Sequence, residues 1–583
     1  MCGIVATLNE GHEHILRAMV EAVSHRGPDS LEVWTNGMHG AAGSRLSIFG
    51  PSEGPMIYHH PGTSITVLLN GEIYNYNQLW EELQEQGKGP LTGLESELIA
   101  TLYQQWGHSF ARKLQGMFAI AILNGSRLVL ARDRFGIKPL NYTIHGGMAL
   151  VCSEIKGLLK HPAVRPVFDR EALEETRVFG YVCSPERTFF QGVHQVPPGV
   201  VLEIDAGHTE ITDRYDTLPK AVDEPQFDAS HYDQSVQDLK KRVIEAVDKL
   251  ARHGHMSKGL FLSGGLDSTI IALVASRYLN YPLFTFTLSD RDDSPDLLAA
   301  RRVAKALATE HRELRVSLQD YWRALPRYVA HYESLMAGGV YHVQGGIAFH
   351  MLAEEVARHV RVAFTGEGAD ELFGGYYWIY THPLGFSDRI RKSLSAVPGN
   401  ESLRNLVDSL FPQPEDENTY RLNLFDFLLR GGLANYHLQS VDRSGGAYGI
   451  EIRPPYLEDA LAQIAMLMPV GYKVPHKAYT KRILREAFRG DFVALGIEDL
   501  LTRQKVGMPS ALNLLNREAE DKVISTISDE EVARRPYGAL VGSKFGLLLY
   551  DTFEQIFLGS WNPDKEDPPA DSLLAQIWPD SLS

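Results

Sequence analysis

The second half of the chain takes its fold from one stretch, Leu260-Phe261-Leu262-Ser263-Gly264-Gly265-Leu266-Asp267-Ser268-Thr269. An apolar run typical of a buried strand passes into a Ser-Gly-Gly turn and then into a helix that begins near Leu266. Glycines let the backbone approach a ligand closely, and the N–H groups at a helix start favour an anion. Asp267 is placed to bind Mg²⁺, which takes one or two carboxylates beside phosphate oxygens. The stretch therefore predicts a phosphate-binding turn, and it differs from a Walker A loop, which requires GxxxxGK[ST].

A second turn of this kind follows the apolar residues Val362-Ala363-Phe364. Thr365 and Gly366 begin the turn, and Asp370 stands at the start of the next helix, where it would be a second Mg²⁺ ligand. Glu367, in the same turn, offers a carboxylate that could act on a bound substrate. Acidic residues at a helix start are also favourable for electrostatic reasons alone. Two such turns in one sheet favour a metal–phosphate site.

From about residue 237 short apolar runs alternate with helical patterns, which predicts a parallel sheet with helical crossovers. The expected strands are Gly259–Leu262, Leu283–Leu288 and Arg361–Thr365. A mostly helical region should follow from about 421 to 560. The last residues, 561–583, contain four prolines and five acidic residues, and we expect a loose C-terminal tail.

Residues 1–215 contain short apolar runs separated by Gly, Asn and Pro turns, which is typical of a strand-rich unit. Helices are expected at about Asn77–Gln86 and from Glu95 to Trp106. Residues 216–236 are rich in polar and acidic residues and contain two prolines, so we expect a linker there. A second domain at 237–560 would follow it.

The N-terminal sequence Met1-Cys2-Gly3 predicts a nucleophile. If Met1 is removed, Cys2 carries both a thiol and an α-amino group, and that amine can serve as the base. An α-amino group has a reference pKa of about 7.7–8.0, so a useful fraction is unprotonated near neutral pH. A small residue after Met1 is also common without any function, and the residues further along the chain distinguish the two interpretations.

Those residues form a set suited to glutamine. Asn70 and Gly71 offer two donors for an oxyanion, and Arg45 offers a bidentate partner for a carboxylate. Glu95 or Glu72 would hold an ammonium group. Taken singly, Asn-Gly is a common hairpin turn and the charged residues could lie at the surface. Together with Cys2 they predict a glutamine-hydrolysing site.

The motifs CGI, HRGPD, RLSI, NGEIYN and ARDRFGIKPL make residues 1 to about 200 resemble the class II glutamine amidotransferase domain. The resemblance implies Cys2 as the nucleophile and Asn70 and Gly71 as the oxyanion hole. It implies glutamine contacts from five positions, Arg45, Ile48, Gly71, Glu72 and Glu95. Asparagine synthetases usually have Asp at the last position, so the longer Glu95 side chain must be accommodated.

SGGLDS followed by TGEGADELFGGY resembles the asparagine synthetases over residues 237 to 510. This implies an α/β protein, in which an α+β N-terminal-nucleophile sandwich precedes a doubly wound parallel-sheet domain of the ATP-pyrophosphatase type with a helical extension. It also implies that MgATP adenylates a carboxylate and that ammonia then displaces AMP. Lys481 would neutralise charge on the phosphoryl group, although Lys481, Arg482 and Arg485 alone would indicate a solvated helix face. The implied ATP and pyrophosphate contacts are Leu262, Ser263, Gly264, Gly265, Asp267, Ser268, Thr365 and Gly366.

The acceptor half departs from the family pattern. Val340, Tyr341, His342 and Val343 stand where well-known bacterial synthetases carry Thr-Thr-Ile-Arg, so the arginine that would pair an aspartate carboxylate is missing. The stretch 442–447 lacks the usual Ser-Met, and Pro454 and Tyr456 replace Val and Phe. We expect aspartate as the acceptor, with another carboxylate or amine of specialised metabolism as the alternative. A non-catalytic regulatory homologue is the third interpretation, and the retained Cys2, Asp267, Glu367 and Asp370 argue against it.

Composition limits the remaining possibilities. The 583 residues carry a net charge of −16, from 57 basic and 73 acidic residues, which argues against a nucleic-acid-binding surface. Three cysteines form no disulfide framework, and no signal peptide or apolar run of membrane-spanning length is present. We therefore expect a cytoplasmic enzyme of small molecules (glutamine, ATP with Mg²⁺, and a carboxylate acceptor), with a homodimer possible and no membrane partner.

Overall fold

The computed structural model describes residues 1–583 except 52–53, 216–217, 222–228, 336–339, 377–378, 380–382, 396, 398, 412–416, 476–479, 504–506, 508–510 and 578–583. Residues 1–214 form two six-stranded sheets, in the strand orders β10-β8-β9-β1-β3-β2 and β12-β11-β7-β6-β5-β4. The strands are β1 Cys2–Leu8, β2 Ser30–Thr35, β3 Gly40–Arg45, β4 Tyr58–His59, β5 Ile65–Ile73, β6 Gly116–Asn124, β7 Arg127–Arg132, β8 Asn141–His145, β9 Met148–Cys152, β10 Val193–Gln195, β11 Val200–Asp205 and β12 His208–Arg214.

The two sheets pack face to face because each strand buries alternate residues between them. On β1, Ile4, Ala6 and Leu8 lie in the apolar layer between the sheets, while Val5 faces a helical layer. Helices cover both outer faces, so the domain has four layers, helix–sheet–sheet–helix. These helices are α1 Glu13–Glu21, α2 Tyr76–Gln84, α3 Glu95–Trp106, α4 Ile155–Leu158 and α5 Arg170–Phe179.

The C-terminal half contains a five-stranded sheet in the order β15-β14-β13-β16-β17, and every adjacent pair is parallel. Its strands are β13 Lys258–Phe261, β14 Leu283–Ser289, β15 Glu310–Arg315, β16 Val362–Phe364 and β17 Glu451–Arg453. The strand order changes direction between β13 and β16, and ligands of open α/β sheets bind at such a switch point. The two glycine turns predicted from the sequence follow these two strands.

Helices cover both faces of this sheet. Those next to the sheet are α6 Ala229–Arg252, α7 Leu266–Leu273, α8 Pro295–Leu307, α9 Leu318–Tyr332 and α10 Val340–Ala357, followed by α11 Ala369–Phe373. The remaining described helices form the helical extension and span Pro383–Leu394, Glu401–Leu410, Glu417–Phe427, Gln439–Ala447, Asp459–Leu467, Val470–Lys473, Arg482–Ala494, Asn513–Thr526, Asp529–Arg534, Gly538–Val541, Lys544–Phe557 and Leu573–Ile577. Shorter 3₁₀ turns span Ser24–Arg26, Gly107–Lys113, Pro455–Leu457 and Glu498–Leu501, and π-helical turns span Val274–Tyr278 and Leu428–Leu438.

Two expectations about connecting segments need correction. Helix α6 begins at Ala229, inside the segment 216–236 that was expected to be a linker. The tail was expected to be loose from residue 561, but Trp561, Leu573, Leu574 and Ile577 are buried. The Leu573 N–H also donates to Asp551 Oδ2 at 2.8 Å. Apolar residues between the prolines outweigh the polar composition, and residues 578–583 lie outside the described part of the chain.

Several apolar clusters contain residues of both halves. Phe168 of the N-terminal half lies 5.3 Å from Tyr550 and 6.0 Å from Phe553 between ring centroids, and Phe190 lies 5.4 Å from Phe553. A buried ion-pair network runs alongside these clusters, in which Arg26 contacts Asp442 at 2.7 Å and Glu154 at 2.7 Å. Among the described residues, no helix is long and apolar enough to cross a lipid bilayer.

Candidate active sites

Cys2 begins β1 and lies opposite Arg45 on β3. Its N–H donates to Asn70 Oδ1 at 2.9 Å. Burial raises the pKa of the Cys2 thiol. The ammonium group of Met1 and the Leu46 N–H lower this pKa, but their effect is smaller than that of burial. A thiol in this environment needs a base before it can attack, which is the role that the sequence assigns to the α-amino group.

Asn70 and Gly71 follow each other on β5, beside Cys2. The Asn70 side chain is fully buried, and its Nδ2 has no hydrogen-bond partner among the described residues. Gly71 has φ +141°, and a Cβ there would lie 2.0 Å from the Met117 carbonyl oxygen. Only glycine fits at that point of the β5–β6 pair, and Asn70 keeps a buried donor available for an oxyanion.

The predicted glutamine contacts surround this point. The Arg45 guanidinium donates to the carbonyl oxygens of Gly54 and Pro51, both at 2.6 Å, which fixes its plane. Ile48 is buried beside it. The Ile73 N–H donates to Glu95 Oε1 at 2.6 Å, and this bond positions the longer carboxylate at the start of α3.

His253 was missed by the sequence reasoning. It follows the last residue of α6, so it belongs to the C-terminal half, yet its Nε2 lies 2.7 Å from Glu72 Oε2 and 3.6 Å from Glu95 Oε1. The imidazole stacks on Phe49 with centroids 4.5 Å apart and planes 7° apart. Because the contact joins residues of two domains that are distant in sequence, no local motif indicates it.

Neighbouring charges and burial shift the pKa values of His253 and Glu95. Burial would lower the pKa of His253, but Glu72 and Glu95 outweigh it and raise the pKa to about 9. Burial, with the negative charge of Glu72 beside it, raises the pKa of Glu95 to about 7. The imidazole is therefore a cation at neutral pH, placed on the carboxylates that were predicted to hold an ammonium group.

The first glycine turn has the geometry of an anion site. Gly264 has φ +67°, and a Cβ there would lie 2.5 Å from the Ala300 backbone nitrogen. The Gly265 N–H donates to Ser263 Oγ at 3.3 Å, and the Oγ atoms of Ser263 and Ser268 lie 3.2 Å apart. Helix α7 starts directly after the turn at Leu266. Leu262, which ends the strand, is buried.

Lys481 lies between the two predicted metal ligands. Its Nζ is 2.6 Å from Asp267 Oδ2 and 2.6 Å from Asp370 Oδ1. Burial lowers the pKa of Lys481, although Asp267 opposes that effect. Its side chain is 4% exposed, so the interpretation as a solvated helix face is wrong.

The second glycine turn faces the first. The Thr365 N–H donates to the Arg453 carbonyl oxygen at 3.0 Å, and a Cβ on Gly366 would lie 3.1 Å from Asp267 Cβ. Glu367 is half-buried, with Oε2 3.6 Å from His437 Nδ1. The structure thus brings Asp267, Asp370, Lys481 and the two turns into one site.

The departures from the family pattern lie in different parts of the structure, and one of them reaches the second site, where the Tyr456 hydroxyl donates to the Asp267 carbonyl oxygen at 3.1 Å. Asp442 and Arg443 belong to the buried network between the halves, where Arg443 Nη2 lies 3.2 Å from Glu333 Oε2. Gln344 is buried and donates to Glu520 Oε1 at 2.5 Å. The side chains of Val340, Tyr341 and His342 lie outside the described residues.

Comparison with known proteins agrees with this geometry. A profile described as "Glutamine amidotransferase domain" matches residues 1–216, and one described as "Asparagine synthase" matches residues 238–557. "Asparagine synthetase [glutamine-hydrolyzing] 1" of Bacillus subtilis strain 168 is 28% identical over 91% of this chain and 90% of its own length. "Asparagine synthetase [glutamine-hydrolyzing]" of Mus musculus is 28% identical over 91% and 88%. The Bacillus subtilis glutamine phosphoribosylpyrophosphate amidotransferase structure has a TM-score of 0.28 at 17% identity, covering 48% of this chain and 65% of that one, which is too low to support a conclusion.

The fold and the two sites define a glutamine amidotransferase joined to a synthetase domain in one chain. The chain belongs to the asparagine synthase family, and it is a ligase of the glutamine-hydrolysing asparagine synthetase type. The resemblance and the α/β fold expected from the sequence are thereby confirmed.

Proposed function

We propose that this protein hydrolyses glutamine at Cys2 and uses the ammonia to amidate aspartate with MgATP, giving asparagine, AMP and pyrophosphate. The single observation that carries the proposal is the pair of preorganised sites in one chain. One has the half-buried Cys2 thiol beside the Asn70 amide donor, which has no partner among the described residues, and the other has two glycine turns around Lys481.

At the first site the Cys2 sulfur attacks the carboxamide carbon of glutamine. Asn70 Nδ2 and the Gly71 N–H would stabilise the oxyanion that develops, because donors already in place need no reorganisation. Ammonia leaves after it takes the thiol proton through the α-amino group. Water then releases glutamate from the thioester. Removal of Met1 is part of this proposal.

At the second site an oxygen of the acceptor carboxylate attacks the α-phosphorus of ATP, and pyrophosphate leaves. Lys481 would neutralise charge on the phosphoryl oxygens, and Ser263, Gly265 and Ser268 would hold the pyrophosphate. Ammonia then attacks the acyl carbon, AMP leaves, and Glu367 would take the surplus proton. Such chemistry depends mainly on positioning and electrostatics.

The donor set fits Mg²⁺. Asp267 and Asp370 offer two hard oxygen donors directed at one point, and both contact Lys481 Nζ. Gly375 leaves room for this arrangement, because a Cβ there would lie 1.7 Å from Asp370 Oδ1. Mg²⁺ bound by these residues would neutralise charge on the phosphates.

The proposal is tested with purified protein, glutamine, MgATP and a panel of carboxylates, with asparagine, AMP and pyrophosphate measured separately. Aspartate should stimulate pyrophosphate release and yield asparagine. If only another carboxylate stimulates pyrophosphate release, that carboxylate is the acceptor and aspartate is not. Cys2→Ala should abolish glutamine-driven synthesis and keep ammonia-driven synthesis. No ammonia release from glutamine under any condition would refute the amidotransferase assignment.

A further inference from the structure

A contact between the two halves joins His253 to the predicted glutamine pocket. Three side chains that meet there (Glu72, Glu95 and His253) are less than one-tenth exposed. Two of them come from the N-terminal half, and the histidine comes from the C-terminal half. Glu72 Oε2 and His253 Nε2 lie 2.7 Å apart. The imidazole thus contacts both carboxylates, and Glu95 Oε1 also accepts from the Ile73 N–H.

The backbone around His253 is pressed against the same pocket. Gly254 has φ +76°, and a Cβ there would lie 2.7 Å from the carbonyl oxygen of Ile48. The His253 carbonyl oxygen accepts a bond from Arg453 Nη1 at 2.7 Å. Arg453 Nη2 in turn lies 3.6 Å from Glu72 Oε2. The turn at 253–254 is thus fixed, and it holds the imidazole over the carboxylates.

We propose that His253 is a tethered competitor of the substrate, a cation from the synthetase domain that occupies the subsite for the glutamine α-ammonium group. This deepens the proposed function, since it rests on Glu72 and Glu95 as the ammonium partners. Glutamine must displace the imidazole from the two carboxylates before it binds fully. The pocket is consequently restrained in the resting enzyme, and part of the binding energy of glutamine is used to move a residue of the other domain.

Backbone contacts connect the turn that carries His253 to the sheet of the second site. Lys258, the first residue of β13, follows it closely, and β13 leads into the Ser-Gly-Gly turn. The Leu250 and His253 carbonyl oxygens both bind Arg453 Nη1, and Arg453 ends β17, the neighbour of β16. The turn that carries His253 therefore lies between the start of β13 and the end of β17, which connects it to the sheet of the second site.

The test compares two ligands that differ only in the ammonium group, glutamine and glutaramate, which is glutamine without its α-amino group. In His253→Gln the KM for glutamine should fall by roughly tenfold, within the usual range for coupled sites. The inhibition constant for glutaramate should rise, because this ligand brings no cation to replace the lost imidazolium. A purely structural role for His253 would shift both constants in the same direction.

Controls keep the outcomes distinct. His255→Gln alters an exposed histidine of the same segment and should leave both constants unchanged. Phe49→Leu removes the stacked ring and should shift both constants as His253→Gln does, but less, so it carries the test if His253→Gln does not fold. Equal shifts or no shifts in His253→Gln would overturn the proposal. If the wild type hydrolyses no glutamine, the proposed function fails, and calorimetric affinities for the two ligands still decide the role of His253.

Discussion

Asn70→Ala is the change that examines the glutaminase site most directly. Asn70 Nδ2 is buried without a partner among the described residues, so it forms its full hydrogen bond only when an oxyanion is present. Loss of one oxyanion donor typically costs about 2.7–4 kcal/mol, a fall in kcat of roughly 100- to 1,000-fold. We expect that fall in glutamine hydrolysis with little change in KM.

Stability should change much less in this variant. Asn70→Ala removes the bond from the Cys2 N–H, worth about 1 kcal/mol, and it also removes an unsatisfied buried donor that costs about 1–3 kcal/mol. The two effects oppose each other, so the midpoint of thermal unfolding should move little. Ammonia-driven synthesis should be retained.

The assay couples released glutamate to glutamate dehydrogenase, with ammonia-driven synthesis measured in parallel. Asn75→Ala is the matched control, because Asn75 lies just after β5 and, among the described residues, its side chain hydrogen-bonds only to backbone groups of Lys113 and Gln115. It should lower stability and leave kcat nearly unchanged. A kcat for Asn70→Ala within tenfold of the wild type would refute the assignment of Asn70 to the oxyanion hole.

Three further predictions concern the second site and stability. Lys481→Met should abolish synthesis with either nitrogen source and spare glutaminase activity. Mg²⁺ should raise the melting temperature of this variant more than that of the wild type, because two carboxylates have lost their cation. An equal rise would contradict the shared site. Leu574→Ala should destabilise the protein by about 2–5 kcal/mol, as expected for a fully buried leucine, whereas an unchanged urea midpoint would restore the loose-tail interpretation. Burial lowers the pKa of Lys473 from 10.5 to about 7. Between these pH values the folded state binds fewer protons than the unfolded state, so wild-type stability should rise with pH across this interval. Lys473→Met should remove this rise, and identical pH profiles of melting temperature for the two proteins would contradict the prediction.

Local patterns predicted the parts of the site that lie close together in sequence. The strand–turn–helix around Ser263 and Gly264 could be predicted because a buried strand, two glycines and a helix start adjoin one another. The roles of Asn70 and Gly71 followed from the chemistry that Cys2 requires. His253 could not be found in this way, since its partners Glu72 and Glu95 are distant in sequence.

Burial explains the other differences. Lys481, Arg482 and Arg485 have the composition of an exposed helix face, but the fold places Lys481 against two aspartates from separate turns. The prolines of the last segment led to the prediction of a loose tail. Leu573, Leu574 and Ile577 are nevertheless buried, because other helices supply the surface against which they pack. A sequence shows which residues can be buried, and the tertiary packing decides which ones are.

The aromatic cluster formed by Phe168, Phe190, Tyr550 and Phe553 bears on how the enzyme handles its own ammonia. A freely folding glutaminase fragment would waste glutamine and release ammonia into the medium. Here a fragment ending near residue 216 would expose Phe168 and Phe190, which the intact chain buries against the C-terminal helices. Truncation or proteolytic separation should thus yield an aggregating or degraded fragment, which would limit glutamine hydrolysis that is not coupled to synthesis.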